Sequence, residues 1–318
     1  MTAMRDQTAL RRPSLSAVVP ATDRPRSLAR CVEAIRGAND PPEEVVVVEE
    51  CELSGPAAAR NDGVRRAGGD VLVFVDADVL PHADVFERVR QAFESSPELV
   101  AVFGSYDDAP EATGAVSSFR NLLHHHVHQQ AAGPATTFWA GLGAVRRGAF
   151  VDVGGFDAER YPTASIEDID LGVRLARLGE IRLDPGLLGT HLKRWTLRSM
   201  IFTDFFRRGV PWAALLLRER ADSKALNLGW RHRLSALACL AFATAVPARR
   251  FAVALSSAAA FVALNRSFYA LLLRRRGAHI ALLGIALHAL HHVVGIAAAA
   301  TVLGTHTCRR LLGRTSRF

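Results

Sequence analysis

The sequence predicts an α/β fold, in which a doubly wound and mostly parallel sheet is followed by a C-terminal helical membrane region. Short apolar runs alternate with helical stretches between Leu15 and Phe103. Such an alternation is typical of parallel strands that are covered by helices on both faces. Every Asp and Glu lies at or before Asp222, and beyond it apolar runs alternate with basic clusters. A change of composition on this scale predicts two regions with different surroundings.

The first strand and helix follow from periodicity. Leu15–Val19 is a continuous apolar run that ends at Pro20. In Ser27–Arg36 apolar residues recur at helical spacing, and Gly37 follows as a stop signal.

The next elements repeat this pattern. Val45–Val48 and Val71–Val75 have the length and composition of buried strands. Pro56 begins a helix that runs to Ala67, because proline suits the first helical turn, and Gly68-Gly69 ends it. The last helix and strand predicted in this part are Val85–Glu94 and Leu99–Phe103.

Two carboxylates follow the third strand. Asp76 and Asp78 come directly after Val71–Val75, one residue apart. In an open α/β sheet, ligands bind at the carboxyl ends of the strands. Carboxylates this close need a compensating cation, and oxygen ligands suit Mg²⁺ or Mn²⁺ shared with substrate phosphates. The spacing therefore predicts a site for a divalent cation and a phosphorylated substrate, with a solvated acidic turn as the alternative.

The turn after the first strand argues against a dinucleotide-binding domain. Such a domain places Gly-x-Gly-x-x-Gly at this position. Here the turn is Pro20-Ala21-Thr22-Asp23-Arg24, so hydride transfer loses its main support.

Charge and cysteine content narrow the class of protein further. The net charge of +8 is uneven, and an apolar segment with basic edges indicates a membrane rather than a nucleic acid. The four cysteines have no metal-ligand spacing, which favours a reduced, cytosolic setting for the α/β part. We predict a disordered basic leader at 1–13, a catalytic domain at 14–217 that ends in an interfacial helix, and a transmembrane helical region at 218–318.

Three further segments carry candidate site residues. Glu49 and Glu50 follow the second strand, where one of them suits a nucleobase or ribose hydroxyl, or forms an exposed acidic turn. Arg60 lies in the next helix and suits a diphosphate, or is a solvated helix residue. Trp139, in a segment of aromatics and glycines, suits a sugar ring, or belongs to a buried strand with a bulge.

A second acidic cluster stands at the start of a predicted helix. In Ser165-Ile166-Glu167-Asp168 a capping box is one interpretation, in which Ser165 and Asp168 bond reciprocally. A carboxylate fixed at a helix start is also well placed to act as a general base.

A cluster of histidines lies upstream of this segment, at 124, 125, 126 and 128. On a helix these residues would splay around several faces, so we expect surface or interface residues rather than one metal site.

The third signal is His191-Leu192-Lys193-Arg194-Trp195, upstream of the amphipathic stretch Met200–Leu217. Tryptophan beside basic residues fits a segment at a membrane interface, and a surface loop with a packed tryptophan is the alternative.

In this order, the motifs of residues 14–217 resemble those of the family 2 glycosyltransferases, which have the GT-A fold. The matching elements are Val18-Val19-Pro20, the acidic pair after the second strand, Asp76-x-Asp78 and Glu167-Asp168. The segment His191–Trp195 resembles the Gln/Arg-x-x-Arg-Trp motif of ceramide glucosyltransferases and polysaccharide synthases.

The resemblance implies a role for each of these residues. It gives nucleotide contacts to Glu49 and Arg60, ribose and metal-diphosphate contacts to Asp76 and Asp78, and the role of general base to Asp168. Glu167 is the second candidate for the base. Arg194 and Trp195 would hold the leaving diphosphate and the acceptor sugar or lipid head.

Two departures from the family pattern stand out. Glu49 replaces the usual Asp, and His191 stands where Gln or Arg is expected. In some GT-A enzymes a histidine after the helix is a metal ligand, so His191 joins Asp78 and Asp76 as a candidate.

The apolar runs of the C-terminal region differ in length. Leu234–Val246 and Phe251–Leu264 are shorter than the ~20 residues that a spanning helix needs, whereas Ala278–Leu303 is long enough. Both Arg274–Arg276 and the Arg-rich C-terminus favour the cytoplasm, which leaves the number of spans open. We expect a multi-pass protein of the cell membrane with a cytoplasmic catalytic domain.

The expected function is inverting transfer of a sugar from a nucleotide-sugar donor to a lipid or membrane-proximal acceptor. A nucleotidyltransferase would also use such a sheet and metal carboxylates, but normally has a Gly-rich basic loop in place of Pro20–Arg24. A catalytically inactive, sugar-binding membrane scaffold is the non-enzymatic alternative.

Overall fold

The computed structural model describes residues 12–219 and 229–311 of the chain. The predicted basic leader lies outside the described residues except for its last two positions. Asp222 and the C-terminal Arg314 and Arg317 also lie outside them.

Among the described residues, eight strands form one mixed sheet in the order β2-β1-β3-β7-β5-β8-β4, with β6 paired to β8. The strands are β1 Leu15–Pro20, β2 Glu44–Val48, β3 Val71–Val75, β4 Val79–Pro81, β5 Leu99–Tyr106, β6 Gly133–Ala135, β7 Leu142–Arg146 and β8 Glu180–His191.

The helices carry the connections between strands and then continue beyond the sheet. They are α1 Leu28–Arg36, α2 Pro56–Arg66, α3 Val85–Ser95, α4 Ala115–Gln130, α5 Arg147–Asp152, α6 Glu167–Leu175, α7 Leu197–Phe202, α8 Val210–Glu219, α9 Trp230–Ala245, α10 Phe251–Leu264 and α11 Arg266–Leu311. A π-helical segment, Thr203–Gly209, joins α7 to α8.

Both faces of the sheet are buried, as the continuous apolar strands predict. Along β3, Val73 belongs to one core with Ile35 of α1 and Phe86 of α3. Its neighbour Phe74 belongs to the opposite core, which contains residues of α2, α5 and α6. Successive side chains of a strand point to opposite faces, so an apolar strand supplies both cores at once. The α/β prediction is confirmed.

The feature of the sheet that most affects the site is β7. It lies antiparallel between β3 and β5, and Val75 at the end of β3 is opposite Leu142 at the start of β7. The segment before β7 is therefore brought next to the carboxyl end of β3.

A third core joins the C-terminal helices to the α/β part. It contains Phe119 and Leu122 of α4, Met200 of α7, and Phe268 and Leu272 of α11. The predicted boundary between 217 and 218 stays a prediction, but this apolar core contains residues from both sides of it.

The expectation of a multi-pass protein lacks support from helix length. Within 12–219 and 229–311, one helix, Arg266–Cys308, is long and apolar enough to cross a membrane. Phe251–Leu264 is apolar but shorter. Helix α11 is moreover interrupted by a kink at Gly277, where φ is +81°.

Candidate active site

The two carboxylates after β3 lie where three strand ends meet. The backbone N–H of Asp76 donates to the Gly141 carbonyl, 3.0 Å away, just before β7. The carbonyl of Asp78 accepts from Leu192 N–H at 2.9 Å, just after β8. The backbone thus holds this acidic turn between β7 and β8.

Arg60 of α2 connects the acidic turn with the second acidic cluster. Its Nη2 donates to Asp76 Oδ1 at 2.7 Å, and its Nη1 donates to Glu167 Oε1 at 2.9 Å. The Arg60 side chain is 5% exposed and that of Glu167 is 6% exposed, so this pair is well shielded from water. Burial disfavours the charge on Arg60, but Asp76, Glu167 and Asp168 outweigh it and raise its pKa.

Asp168 is held at the start of α6 by backbone donors. Its Oδ2 accepts from Ala140 N–H at 3.2 Å, and its Oδ1 accepts from Ile169 N–H at 2.8 Å. Burial, with repulsion from Glu167, raises the pKa of Asp168 to about 7. A carboxylate with a pKa near neutrality can take up a proton at physiological pH.

The capping box does not form. Ile166, rather than Ser165, precedes the helix, and the Ser165 hydroxyl donates to the Arg207 carbonyl at 2.7 Å. Glu167 Oε2 instead accepts from Ser165 N–H at 2.8 Å. Because Arg60 and Ser165 occupy both oxygens of Glu167, the roles of the two acidic neighbours differ physically.

His191 ends β8 beside Asp78, and its ring is fixed on two sides. Its Nδ1 donates to Asn121 Oδ1 of α4 at 2.5 Å, and the ring stacks on Tyr106 with centroids 4.1 Å apart. Its Nε2 lies 3.5 Å from Asp78 Oδ2. Because an amide oxygen only accepts hydrogen bonds, Asn121 holds a proton on Nδ1, and Nε2 is the ring nitrogen that faces Asp78.

The side chains of Asp78 and His191 fit a divalent cation. A carboxylate oxygen and an imidazole nitrogen face each other, and such a pair suits Mn²⁺ with substrate phosphates as further ligands. Partial burial disfavours the charge on Asp78, but His191 and then Lys193 outweigh it and lower its pKa. No cluster of three or more His, Cys, Asp or Glu side chains suited to a metal occurs in the described ranges.

Residues 50–154 match the family model described as Glycosyl transferase family 2. The pre-mycofactocin glycosyltransferases of two Mycobacterium tuberculosis strains, CDC 1551 and H37Rv, are each 28% identical to this chain over 225 residues. The matched part is 61% of this chain and 46% of the relative, so the chain spans about half the length of these curated relatives.

The architecture agrees with that match. A mannosyltransferase from Pyrobaculum calidifontis, solved in complex with GDP-Man and Mn²⁺, superposes with a TM-score of 0.53 at 18% identity. The superposition covers 92% of this chain and 87% of the other. Residues 50–154 are thus similar to glycosyltransferase family 2. The sheet and flanking helices of the chain form the GT-A fold.

Among the family 2 residues expected at the nucleotide, Glu49 and Glu50 are exposed at the carboxyl end of β2. Glu50 forms an ion pair of 2.6 Å with Arg24 from the turn after β1. Because β1 lies between β2 and β3, these residues stand at the same sheet edge as Asp76 but two strands away. Arg60 differs from the expectation, since its guanidinium points inward to the carboxylates of Asp76 and Glu167.

Trp139 lies in the segment that β7 brings to the site. Its ring contacts Tyr106 edge-on with centroids 4.9 Å apart, and His124 at 4.6 Å. A Cβ at Gly141 would lie 2.4 Å from the Trp139 ring, so glycine is required for this close approach. The aromatic group therefore has a defined position next to Asp76, whose N–H bonds the same glycine.

The segment after β8 divides into an exposed and a packed part. Arg194 is exposed. Trp195 packs on α4, where its backbone N–H donates to Ser117 Oγ at 2.8 Å and its ring lies 5.0 Å from the Arg120 guanidinium. Lys193 Nζ lies 4.8 Å from the same ring.

Sequence reasoning missed Asn121 and Tyr106, which support His191, and Lys193, which acts electrostatically on Asp78. Lys193 was detectable, because it stands two residues after His191. Asn121 and Tyr106 had no such signal, since each lies far from His191 along the chain.

The histidines of α4 face the sheet and the third core. His125 and His128 donate from Nδ1 to the Tyr106 and Gly104 carbonyls of β5, each at 2.8 Å. His124 packs between Tyr106 and Trp139. The prediction of interface residues fits these contacts.

Proposed function

We propose that this chain is an inverting glycosyltransferase that moves a sugar from a nucleotide-sugar donor to a hydroxyl of a lipid or membrane-proximal acceptor. The observation that carries this proposal is Asp168, a carboxylate with a pKa of about 7 that two backbone donors hold in place. It lies next to Glu167, whose partner Arg60 reaches the acidic turn, and residues 50–154 before it match the family 2 model.

In this proposal Asp168 is the general base. It takes the proton of the acceptor hydroxyl as the oxygen attacks the anomeric carbon. The bond from that carbon to the diphosphate breaks, and the electron pair leaves with the nucleoside diphosphate. A single displacement of this kind inverts the anomeric configuration. Glu167 is less suited to the role, because Arg60 and Ser165 already engage its oxygens.

Asp78 and His191 would hold a divalent cation, Mg²⁺ or Mn²⁺, which would neutralise charge on the leaving diphosphate. Lys193 supports this role, because its positive charge lowers the pKa of Asp78 and so favours the ionised carboxylate. We assign Asp76 to the donor ribose rather than to the cation, since its Oδ1 is paired with Arg60.

The remaining donor contacts are assigned by position. Glu49 is placed at the nucleobase, at the exposed end of β2, and Trp139 at the donor sugar. Arg60 is reassigned from direct nucleotide contact to positioning, because it bridges Asp76 and Glu167 away from solvent. Arg194, which is exposed, is assigned to the diphosphate, and Trp195 to the acceptor side.

We further propose that the C-terminal helices attach the enzyme to the cell membrane, with the catalytic domain in the cytoplasm. The support is the apolar character of α11 and α10. It is also the absence of acidic residues after Asp222 in the sequence.

The test is turnover of a nucleotide-sugar panel by the purified full chain with Mn²⁺, first without and then with lipid extract. Release of nucleoside diphosphate, formation of an inverted glycolipid, and loss of both in Asp168→Asn are expected. Release of pyrophosphate from a nucleoside triphosphate and a sugar phosphate would instead show a nucleotidyltransferase. Donor binding without any turnover would favour the inactive scaffold.

A further inference from the structure

The second half of α11 runs along the α/β part of the protein. The ring of His288 lies 5.9 Å from that of Phe119 on α4. His291 Nδ1 donates to Asp204 in the π-helical segment at 2.8 Å. Ala298 lies directly against the same segment. These contacts extend over about ten residues, or about 15 Å of helix, which is half of the ~30 Å hydrocarbon core.

The elements that α11 touches are tied to the sheet or carry buried charge. Helix α4 is bonded to β5 through His125 and His128. Asp204 forms a 2.8 Å ion pair with Arg120, and both side chains are almost fully buried. An open sheet edge does not occur in hydrocarbon, because its backbone groups would lack partners. A crossing α11 would draw these elements into the bilayer with it.

The other face of the C-terminal helices is apolar and exposed. Only 22% of the most apolar stretch of α11 is buried. The large exposed apolar residues of this region include Trp230, Leu237, Leu240, Phe251, Leu255, Leu282, Val293 and Leu303. Patches of this kind mark interaction surfaces.

Helices α9 and α10 are both shorter than a helix that crosses a bilayer. They have 16 and 14 residues, which gives about 24 and 21 Å of helix against ~30 Å of hydrocarbon. Asn265, next to α10, donates to Ser235 of α9 at 2.9 Å, so a polar contact fixes the pair internally.

The charge of this surface selects the kind of membrane. Arg249 and Arg250 are exposed at the turn between α9 and α10, and Arg274 is exposed before the kink. No Asp or Glu follows Asp222 in the sequence, and the neighbouring Arg275 pairs with Asp108 of the α/β part. Arginines beside an apolar face bind anionic lipid head groups.

We propose that α9, α10 and α11 lie in the plane of a single leaflet of an anionic bilayer, so that the described chain stays on one side of the membrane. This inference rests on the membrane attachment in the proposed function and specifies its geometry. It replaces membrane-crossing segments with an interfacial surface that carries the active site close to lipid head groups.

Two native cysteines allow a direct test. Cys51 lies in the α/β part, and Cys308 is exposed near the end of α11. The full chain in inverted membrane vesicles and in spheroplasts is treated with a membrane-impermeant maleimide, and modified peptides are identified by mass spectrometry. An added Ala248→Cys variant reports on the turn between α9 and α10.

The expected result is that Cys51 and Cys308 react from the same face, and that no site, including position 248, reacts from the other. Reaction of Cys308 or position 248 from the face opposite to Cys51 would overturn the in-plane arrangement. A chain that does not sediment with membranes would overturn the membrane attachment itself, while donor turnover still tests the enzymatic proposal separately.

The lipid preference is tested by flotation of the full chain with phosphatidylglycerol or phosphatidylcholine vesicles. Arg249→Gln/Arg250→Gln should weaken binding to phosphatidylglycerol by about fivefold per charge, from ~1 kcal/mol for each basic residue. The matched control is Arg26→Gln/Arg36→Gln, two exposed arginines of the α/β part. Equal effects of the two double variants would overturn the assignment of the anionic surface.

Discussion

The guanidinium of Arg60 lies 2.7 Å from Asp76 Oδ1 and joins the acidic turn after β3 to the start of α6. The same side chain reaches Glu167 at 2.9 Å, so two carboxylates share one buried cation. A buried charge is tolerated only when it is paired, and the removal of one partner leaves the others unpaired. Arg60 is therefore expected to support both the stability and the geometry of the site.

Replacement of Arg60 by Met should lower the free energy of unfolding by about 3–5 kcal/mol, because Glu167 would remain buried without its cation. Chemical denaturation followed by circular dichroism measures this change. Arg65→Met on the same helix is the control, since its pair with Asp62 is largely exposed on the arginine side and is worth about 0.3–0.5 kcal/mol. Similar losses in the two variants would contradict a special role for Arg60.

Asp168→Asn should reduce transfer by about 10²–10⁴-fold while donor affinity is retained, because the amide cannot accept the acceptor proton. Steady-state transfer and calorimetric donor titration are the two measurements. Glu167→Gln is the comparison: we expect it to lose stability, through its contact with Arg60, more than it loses chemistry. Near wild-type transfer by Asp168→Asn would exclude Asp168 as the base.

The rate should also depend on pH in a defined direction. Burial raises the pKa of Asp168 to about 7, and a base must be deprotonated to act, so kcat/KM should rise with pH through about 7. The raised pKa also means that ionisation opposes folding. The stabilising contribution of the protonated Asp168 carboxyl is complete below the ordinary pKa of an aspartate. It is lost as pH rises through the folded pKa. A flat profile between pH 6 and 8 would contradict this assignment.

Asn121→Ala should weaken Mn²⁺ binding by about 10–100-fold, the usual effect of removing a partner that orients a metal-bound histidine. Calorimetry with Mn²⁺ and nucleoside diphosphate gives the affinity, and nitrogen-15 NMR of His191 reports which ring nitrogen carries the proton. Gln130→Ala, an exposed change on the same helix, is the control. Unchanged Mn²⁺ affinity in Asn121→Ala would show that the orientation of His191 does not depend on it.

Phe268→Ala should destabilise the protein by about 3–5 kcal/mol, because it removes a buried ring from the third core. Phe268 is 1% exposed whereas Phe251 is 70% exposed, so Phe251→Ala is a matched control. Thermal unfolding in detergent compares them.

A truncation after Leu217 should aggregate, because it removes the helices that cover Phe119 and Leu122 of the third core. A stable truncated domain would support the predicted boundary.

The outline of the fold and the order of the motifs were predictable from local patterns. Continuous apolar runs determine buried strands, because both faces of a parallel sheet are covered. A strand also delivers the next residues to the sheet edge, so Asp76 and Asp78 were identified from the run that precedes them. The segment around Asp168 was also recognisable as a candidate from its acidic residues at a helix start. The capping interpretation was wrong, because the Ser165 hydroxyl donates to the Arg207 carbonyl instead.

What the sequence determined by itself was four buried strands between Leu15 and Phe103, the helices between them and the chemistry available at the strand ends. The tertiary structure decided which of these groups meet. Arg60 reaches Glu167 across 107 positions of the chain, and His191 meets Asn121 across 70. Such pairs depend on strand order and helix packing, in particular on the placement of α4 against β5. Local periodicity carries no information about contacts that form only when distant segments pack together.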